Sequence, residues 1–161
     1  MLRLIKILLI LAVAAWGAAG ALLNLLSWEG TLASVAGAIS MSTFDGGSEA
    51  WQATSNPVLV WLGAIFIAGS KIVTAILCLL GAQQMFRARS ADASRFAAAK
   101  ALALAGCGVA VFMLFAGFIV IAEIWYEAWR SEGLRAMTLD SAFRYGGMIA
   151  LIAIFVAQRE Q

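Results

Sequence analysis

Four long apolar segments alternate with short polar stretches along the sequence. The second segment shows the pattern most clearly, because Lys71 is the only formally charged residue between Val58 and Met85. This run exceeds the ~20 apolar residues that an α-helix needs to cross a hydrocarbon core of ~30 Å. The pattern therefore predicts four transmembrane helices, over residues 5–27, 58–86, 101–124 and 141–158.

The residues before the second segment fit the start of a helix. Pro57 is the only proline of the chain. Its missing N–H and fixed φ are tolerated in the first helical turn. Ser55 or Asn56 is then placed to cap the helix with a side-chain oxygen.

Small residues recur along one side of the second helix at spacings of three and four. Lipid gives no hydrophobic drive for helices to associate, so small residues mark the faces where backbones approach closely. Lys71 lies on this small face and is therefore predicted to point toward other helices. The face consists of Ala64, Ala68, Lys71, Ala75, Cys78 and Ala82.

The first segment has the plan of a secretory signal peptide, since Arg3 and Lys6 precede an apolar run that contains small residues. The run from Ile7 to Leu26 is longer than a typical signal-peptide core. We therefore interpret the segment as an uncleaved first span.

The basic residues are distributed unequally between the two predicted sides of the membrane. Cytoplasmic loops carry an excess of Lys and Arg, so the richer side is predicted to be cytoplasmic. Both termini then lie in the cytoplasm. The richer side has Arg3, Lys6, Arg87, Arg89, Arg95, Lys100 and Arg159, and the other side has Arg130, Arg135 and Arg144.

The loop between the first two spans contains a short amphipathic pattern. Leu32, Val35, Ala36 and Ile39 follow the i, i+3, i+4, i+7 spacing of one helix face. This helix is too short to cross the bilayer, so we expect it to lie on the outer membrane surface or to cap the bundle. It is either a connector or a lid over a ligand cavity.

Composition supports a single integral membrane domain over residues 1–161, because 63% of residues are hydrophobic, 12% are charged and the mean hydropathy is +0.93. The net charge of +2 is too small to suggest nucleic-acid binding. The chain contains no histidine, which excludes His-ligated haem, imidazole metal sites and Ser-His or Cys-His catalytic pairs. We expect no cofactor, no metal and no enzymatic activity.

Several short sequences resemble a known family. They are MLRLIKILL at 1–9, SMSTF at 40–44, TAILCLLGA at 74–82 followed by RAR at 87–89, and GFIVI at 117–121 leading to WY at 125–126 and WRS at 129–131. Over nearly its whole length the chain resembles a bacterial family labelled only "predicted small integral membrane protein", a domain of unknown function. The resemblance implies four spans and an inner-membrane location, and it carries no activity or catalytic residue.

Lys71 is the residue most out of place, because a lysine at the centre of a membrane helix costs roughly 2.5–3.5 kcal/mol. Counting from the helix ends puts it level with Asn24, Glu123 and Arg144. We predict an intramembrane polar layer of these four residues, in which Glu123 pairs with Lys71 or Arg144. The layer is a structural clamp or part of an ion, proton or ligand path; snorkelling of Lys71 is a third interpretation.

Aromatic residues cluster where the spans meet the outer interface. An aromatic belt at the headgroup level explains them without a ligand, and stacking on a quinone, lipid or pigment is the alternative. Cys78 and Cys107 are interpreted as packing residues in neighbouring helices. The belt consists of Trp28, Trp61, Trp125, Tyr126 and Trp129.

These features predict a non-catalytic accessory or scaffold subunit that packs, within lipid, against the integral membrane subunits of a larger inner-membrane complex, respiratory or photosynthetic. The alternative is a small transporter or permeability factor that uses Lys71 and Glu123. The alternative requires a water-accessible cavity that reaches Lys71, whereas the subunit hypothesis requires a small-residue or aromatic face left exposed on the bundle.

Overall fold

The four apolar segments all form long helices. The structure is a computed structural model that describes residues 1–159, without the side chains of Met137 and Thr138, so the last two residues of the predicted domain lie outside it. The described residues contain no strand. Four of their helices are long and apolar enough to cross a membrane, which confirms the predicted all-α fold with four spans.

Three spans are single α-helices: α1 (Leu2–Leu26), α3 (Pro57–Arg87) and α7 (Asp140–Ala157). The third span is α5 (Ala101–Phe112), which continues over residues 113–125 with π-type hydrogen bonds. Such wide turns are usually confined to one turn of a helix and often occur at functional sites. Shorter elements connect the spans: α2 (Trp28–Ile39), α4 (Ala93–Ala98), α6 (Glu132–Leu134), the 3₁₀ turns Gly47–Glu49 and Ala128–Arg130, and the π turn Arg135–Leu139.

The start of α3 follows the predicted capping. Asn56, one of the two candidate caps, accepts a hydrogen bond at its Oδ1 from the backbone N–H of Val58 at 2.9 Å. Asp92 caps α4 in the same way by accepting from the N–H of Arg95. The Ser94 hydroxyl and the Arg95 N–H both donate to the Asp92 carboxylate, and they lower its pKa from the ordinary value.

The four spanning helices follow chain order around the bundle, so α3 lies between α1 and α5, and α7 contacts both α5 and α1. A Cβ on Gly17 of α1 would approach the Lys71 carbonyl oxygen to 2.9 Å, and a Cβ on Gly81 of α3 would overlap the backbone of Ala103. These backbones therefore touch because the residues between them are small. The small face of α3 is buried as predicted: its members with less than a tenth of their surface exposed are Ala64, Ala68, Ala75, Cys78 and Ala82.

One end of the bundle carries Leu2 and Ala157, and we call it the terminal end. Two lysines are buried there, since Lys6 is 0% exposed and Lys100 is 2% exposed. Both ammonium groups donate to the backbone oxygen of Gln158 at 2.8 Å, and both lie over aromatic rings. Positive charge at the C-terminus of a helix such as α7 is favoured by the helix dipole. In the structure these two lysines join α1 and α5 to the end of α7, a role that their place among the predicted cytoplasmic residues did not indicate.

The opposite end carries α2, and we call it the α2 end. Ser27 alone separates α1 from α2, and its non-helical backbone (φ −111°, ψ 54°) interrupts the helix there. The residues of the predicted amphipathic face are buried or half-buried, and Val35 packs on Gly63 of α3. The helix therefore exists and covers part of the bundle. Its position at the membrane surface and the orientation of the termini stay predictions.

Candidate functional site

Lys71 lies near the middle of α3, and its side chain crosses the α2-end half of α1. Its ammonium donates a hydrogen bond to Asn24 Oδ1 at 2.6 Å. The lysine stem passes over Gly20, where a Cβ would approach Lys71 Cδ to 3.1 Å and Nζ to 3.4 Å. Gly20 therefore provides the space through which Lys71 reaches Asn24.

A second hydrogen bond fixes the orientation of Asn24. Its Nδ2 donates to Thr31 Oγ1 at 3.0 Å, so its Oδ1 faces Lys71. The Thr31 hydroxyl is itself a donor toward the backbone oxygens of Asn24 and Ser27, each 3.2 Å away. Thr31 is buried, with 8% of its surface exposed. A polar network thus connects α3, α1 and α2. Thr31 was not predicted from the sequence, where its only signal was a polar residue near the apolar face of α2.

The structure brings together two of the four predicted polar-layer residues. Arg144 is exposed, and its guanidinium donates to the Asp140 carbonyl oxygen at 3.3 Å and to Ser141 Oγ at 3.2 Å. Glu123 is half-buried in the π-type stretch. Within the described residues, Glu123 forms no ion pair with Lys71 or with Arg144, so the predicted pairing of Glu123 is wrong. The acceptor that meets Lys71 is the neutral amide of Asn24.

A cleft of about 700 Å³ surrounds this network. We call it the Lys71 cleft. It extends between α1, α2, α3 and the start of α7, and the Trp16 and Tyr145 rings, 5.8 Å apart, contact each other along it. Its lining includes Gly20, Asn24, Thr31, Lys71, Phe118 and Tyr145.

A second cavity of about 330 Å³ adjoins the cleft, and its walls are almost entirely apolar. We call it the apolar pocket. Ser34, Ile67 and Phe118 line both cavities, so the two are neighbours. Their volumes lie in the range of roughly 300–1,000 Å³ that is usual for small-molecule sites. The characteristic residues of the apolar pocket are Val35, Ile39, Phe66, Ala122 and Tyr126.

The predicted belt aromatics gather at the α2 end, where three of them contact another tryptophan ring. The ring centroids of Trp28 and Trp61 are 5.6 Å apart. The ring centroid of Trp125 lies 5.4 Å from that of Trp51, which is not one of the predicted belt residues. Tyr126 lines the apolar pocket, and Trp129 is exposed. The belt interpretation stays a prediction.

Three further buried side chains lie outside the lining of the cleft. Cys78 and Cys107 are free thiols with 0% exposure, as expected of packing residues. The Thr74 hydroxyl is also buried, and in the part of the chain that the structure describes it has no hydrogen-bond partner. The described residues include no group of three or more His, Cys, Asp or Glu that is arranged to hold a metal ion.

Four long helices with apolar outer surfaces define the chain as a polytopic integral membrane protein, since helices satisfy their backbone hydrogen bonds internally in lipid. The chain belongs to the family described as "Predicted small integral membrane protein (DUF2165)", whose model matches residues 2–159. This match confirms the resemblance noted in the sequence. No curated protein and no solved structure matches the chain.

Proposed function

We propose that this protein is a non-catalytic accessory subunit of a larger bacterial inner-membrane assembly, respiratory or photosynthetic. The observation that carries the proposal is an exposed face of small residues on α5. Ala101, Ala105 and Gly108 follow a four-three spacing, and all three are exposed. We call them the α5 small face.

The α5 small face has the composition of a helix-packing surface, although no helix of the described chain covers it. A Cβ placed on Gly108 would meet no atom within 4 Å. Glycine is among the weakest helix formers, by about 1 kcal/mol relative to alanine, and in lipid its benefit is close approach to another helix. We take the occupant of this face to be a transmembrane helix of a partner subunit.

The test is purification of the tagged full-length protein from its native membrane in a mild detergent, followed by mass spectrometry. A stoichiometric complex with identified integral membrane subunits is expected, and Gly108→Leu is expected to remove it. Val120→Leu is the control, because it adds bulk at an exposed aliphatic position of the same span that does not belong to the α5 small face. Recovery of the wild-type protein alone, or as a homo-oligomer, would refute the subunit proposal.

The Lys71 cleft favours a second candidate function, the passage of a small molecule or ion. The cleft brings a cavity to Lys71, as that function requires. The bundle is closely packed toward the terminal end, where Cys78, Met85 and Cys107 are 0% exposed. Passage through the chain would therefore require the helices to separate there.

Flux into proteoliposomes tests this second candidate. If the protein carries an anion past Lys71, Lys71→Ala should abolish the flux, and Glu123→Gln should reduce it only if Glu123 takes part. Absence of flux above that of protein-free liposomes, for a panel of small anions and cations, would exclude the candidate.

A further inference from the structure

We propose that the Lys71 cleft and the apolar pocket together bind one anionic amphiphile, with its oxyanion headgroup at Lys71 and its acyl chain in the apolar pocket. This inference is independent of the proposed subunit role, because it uses neither the α5 small face nor a partner subunit. Its evidence is the charge, the hydrogen bonding and the shape of the two cavities.

The charge of Lys71 is the first part of the evidence. An ammonium group has three N–H donors, and the described residues supply it with one acceptor, Asn24 Oδ1. That acceptor is neutral, and no carboxylate of the described residues forms an ion pair with Lys71. The half-buried site on the second spanning helix therefore carries one uncompensated positive charge, and such a charge is costly within a membrane. A bound carboxylate or phosphate would supply the counter-charge and the missing acceptors.

The hydrogen-bond network makes this charge a prepared site. Thr31 holds the Asn24 amide so that its oxygen faces Lys71, and the Lys71 stem is confined beside Gly20. The ammonium is therefore fixed in position before a ligand arrives. Fixed donors lose little conformational entropy on binding, which favours affinity.

The shape of the cavities identifies the rest of the ligand. The Lys71 cleft and the apolar pocket lie side by side, since Ile67 and Phe118 line both, and the walls of the apolar pocket are almost entirely apolar. A small hydrophilic anion would leave the apolar pocket unused, and a neutral hydrocarbon would leave the ammonium uncompensated. A ligand with one oxyanion and an acyl chain satisfies both regions, whether it is a free fatty acid or an anionic phospholipid.

The decisive experiment measures binding of oleate to the purified full-length protein in a mild non-ionic detergent, by native mass spectrometry. Oleyl alcohol is the neutral analogue with the same chain. We expect oleate to bind at least tenfold more tightly than oleyl alcohol, and Lys71→Met to remove this difference. Arg144→Met removes one positive charge from an exposed residue near the cleft. This variant should keep the difference in affinity between oleate and oleyl alcohol.

Lys71→Met removes a costly charge and keeps the stem, so the variant is expected to fold, and its thermal unfolding in detergent checks this. Equal binding of oleate by the wild type and Lys71→Met would overturn the proposal. Equal binding of oleate and oleyl alcohol by the wild type, or no binding of oleate and phosphatidylglycerol, would also overturn it.

A second pair of measurements identifies the source of the headgroup and tests the apolar pocket. Tighter binding of oleate than of dioleoyl phosphatidylglycerol assigns the site to a free carboxylate amphiphile, and the reverse order assigns it to an anionic phospholipid. Ala122→Phe fills part of the apolar pocket. Ala122→Phe should weaken the binding of oleate by about tenfold and leave the binding of the shorter octanoate unchanged. Equal weakening of both would contradict the placement of the acyl chain.

Discussion

Lys71 is accommodated inside the bundle because α1 provides both space and an acceptor. Gly20 leaves room for the lysine stem, and Asn24 accepts from the ammonium at 2.6 Å. Glu123, the predicted charged partner, forms no ion pair with it in the described residues. A neutral amide orients the charge without neutralising it, which is why we regard this residue as a binding group as well as a structural one.

Replacement of Asn24 by leucine should destabilise the protein, because the Lys71 ammonium then loses its acceptor while it stays in the cleft. We expect a loss of about 1–3 kcal/mol, the usual penalty for an unsatisfied buried polar group. In the double variant Asn24→Leu, Lys71→Met the loss should be smaller than the sum of the two single effects. Chemical denaturation in detergent measures all three, and strictly additive effects would contradict the coupling of the two residues.

Thr74→Val should stabilise the protein. The Thr74 hydroxyl is buried without a hydrogen-bond partner in the described structure, and valine replaces that hydroxyl with a methyl group of similar shape. We expect a gain of about 1 kcal/mol, measured as a higher midpoint of thermal unfolding in detergent. Thr31→Val is the control, because Thr31 accepts from Asn24 and its loss should destabilise. A destabilised Thr74→Val would show that the hydroxyl has a partner.

At the scale of elements, α3 organises the bundle, because it touches a neighbouring backbone on each side. Gly17 of α1 lies against the backbone of Lys71 and Ala75, and Gly81 lies against Ala103 of α5. Close contact of this kind replaces the hydrophobic drive that lipid cannot provide. The position of α3 between α1 and α5 therefore depends on a few residues without side chains.

Gly81→Ala should weaken the packing of α3 on α5, because the added Cβ would overlap the Ala103 backbone. We expect destabilisation of about 1–3 kcal/mol, as for other overpacked sites. Gly147→Ala is the matched control: the Cβ position there is open, and alanine is the better helix former, so this variant should be unchanged or slightly more stable. Both are measured by thermal unfolding in the same detergent, and equal effects would contradict the close contact.

Elements differ in how far the sequence predicted them. The start of α3 and its buried small face follow from local rules, namely proline at the first turn, a polar cap and the spacing of small residues. The helix break at Ser27 and the π-type turns of residues 113–125 were not predicted, because neither has a distinctive local signal. Both help to shape the cavities, since Ser27 and Thr31 line the cleft and Ala122 lines the apolar pocket.

At the scale of the whole molecule, the two ends of the bundle differ. At the terminal end, Lys6 and Lys100 converge on Gln158, and Arg3 donates to the backbone oxygens of Arg89 and Ala91 at 2.9 and 2.6 Å. Toward the α2 end, the Lys71 cleft and the apolar pocket lie between the helices. Hydrogen bonds from basic side chains therefore join the helices at the terminal end, and the two cavities lie toward the α2 end.

The predicted orientation places both termini in the cytoplasm, and labelling of introduced cysteines tests it. Ser48 lies in the loop at the α2 end and Ser90 in the loop at the terminal end, and both are exposed. A membrane-impermeant maleimide should label Ser48→Cys in intact spheroplasts and label Ser90→Cys only after the membrane is permeabilised. The two native cysteines are buried and give little background. The reverse labelling pattern would invert the predicted topology.

The sequence by itself determined the number of spans, the helical class, the family and the buried small face of α3. These features depend on composition and on spacing within single segments, which the bilayer constrains directly. Only the tertiary structure decided that Asn24 meets Lys71, that Lys6 and Lys100 converge on Gln158, and that the Lys71 cleft adjoins an apolar pocket. Each of these depends on how helices distant in sequence rotate and approach, and no single segment carries that information.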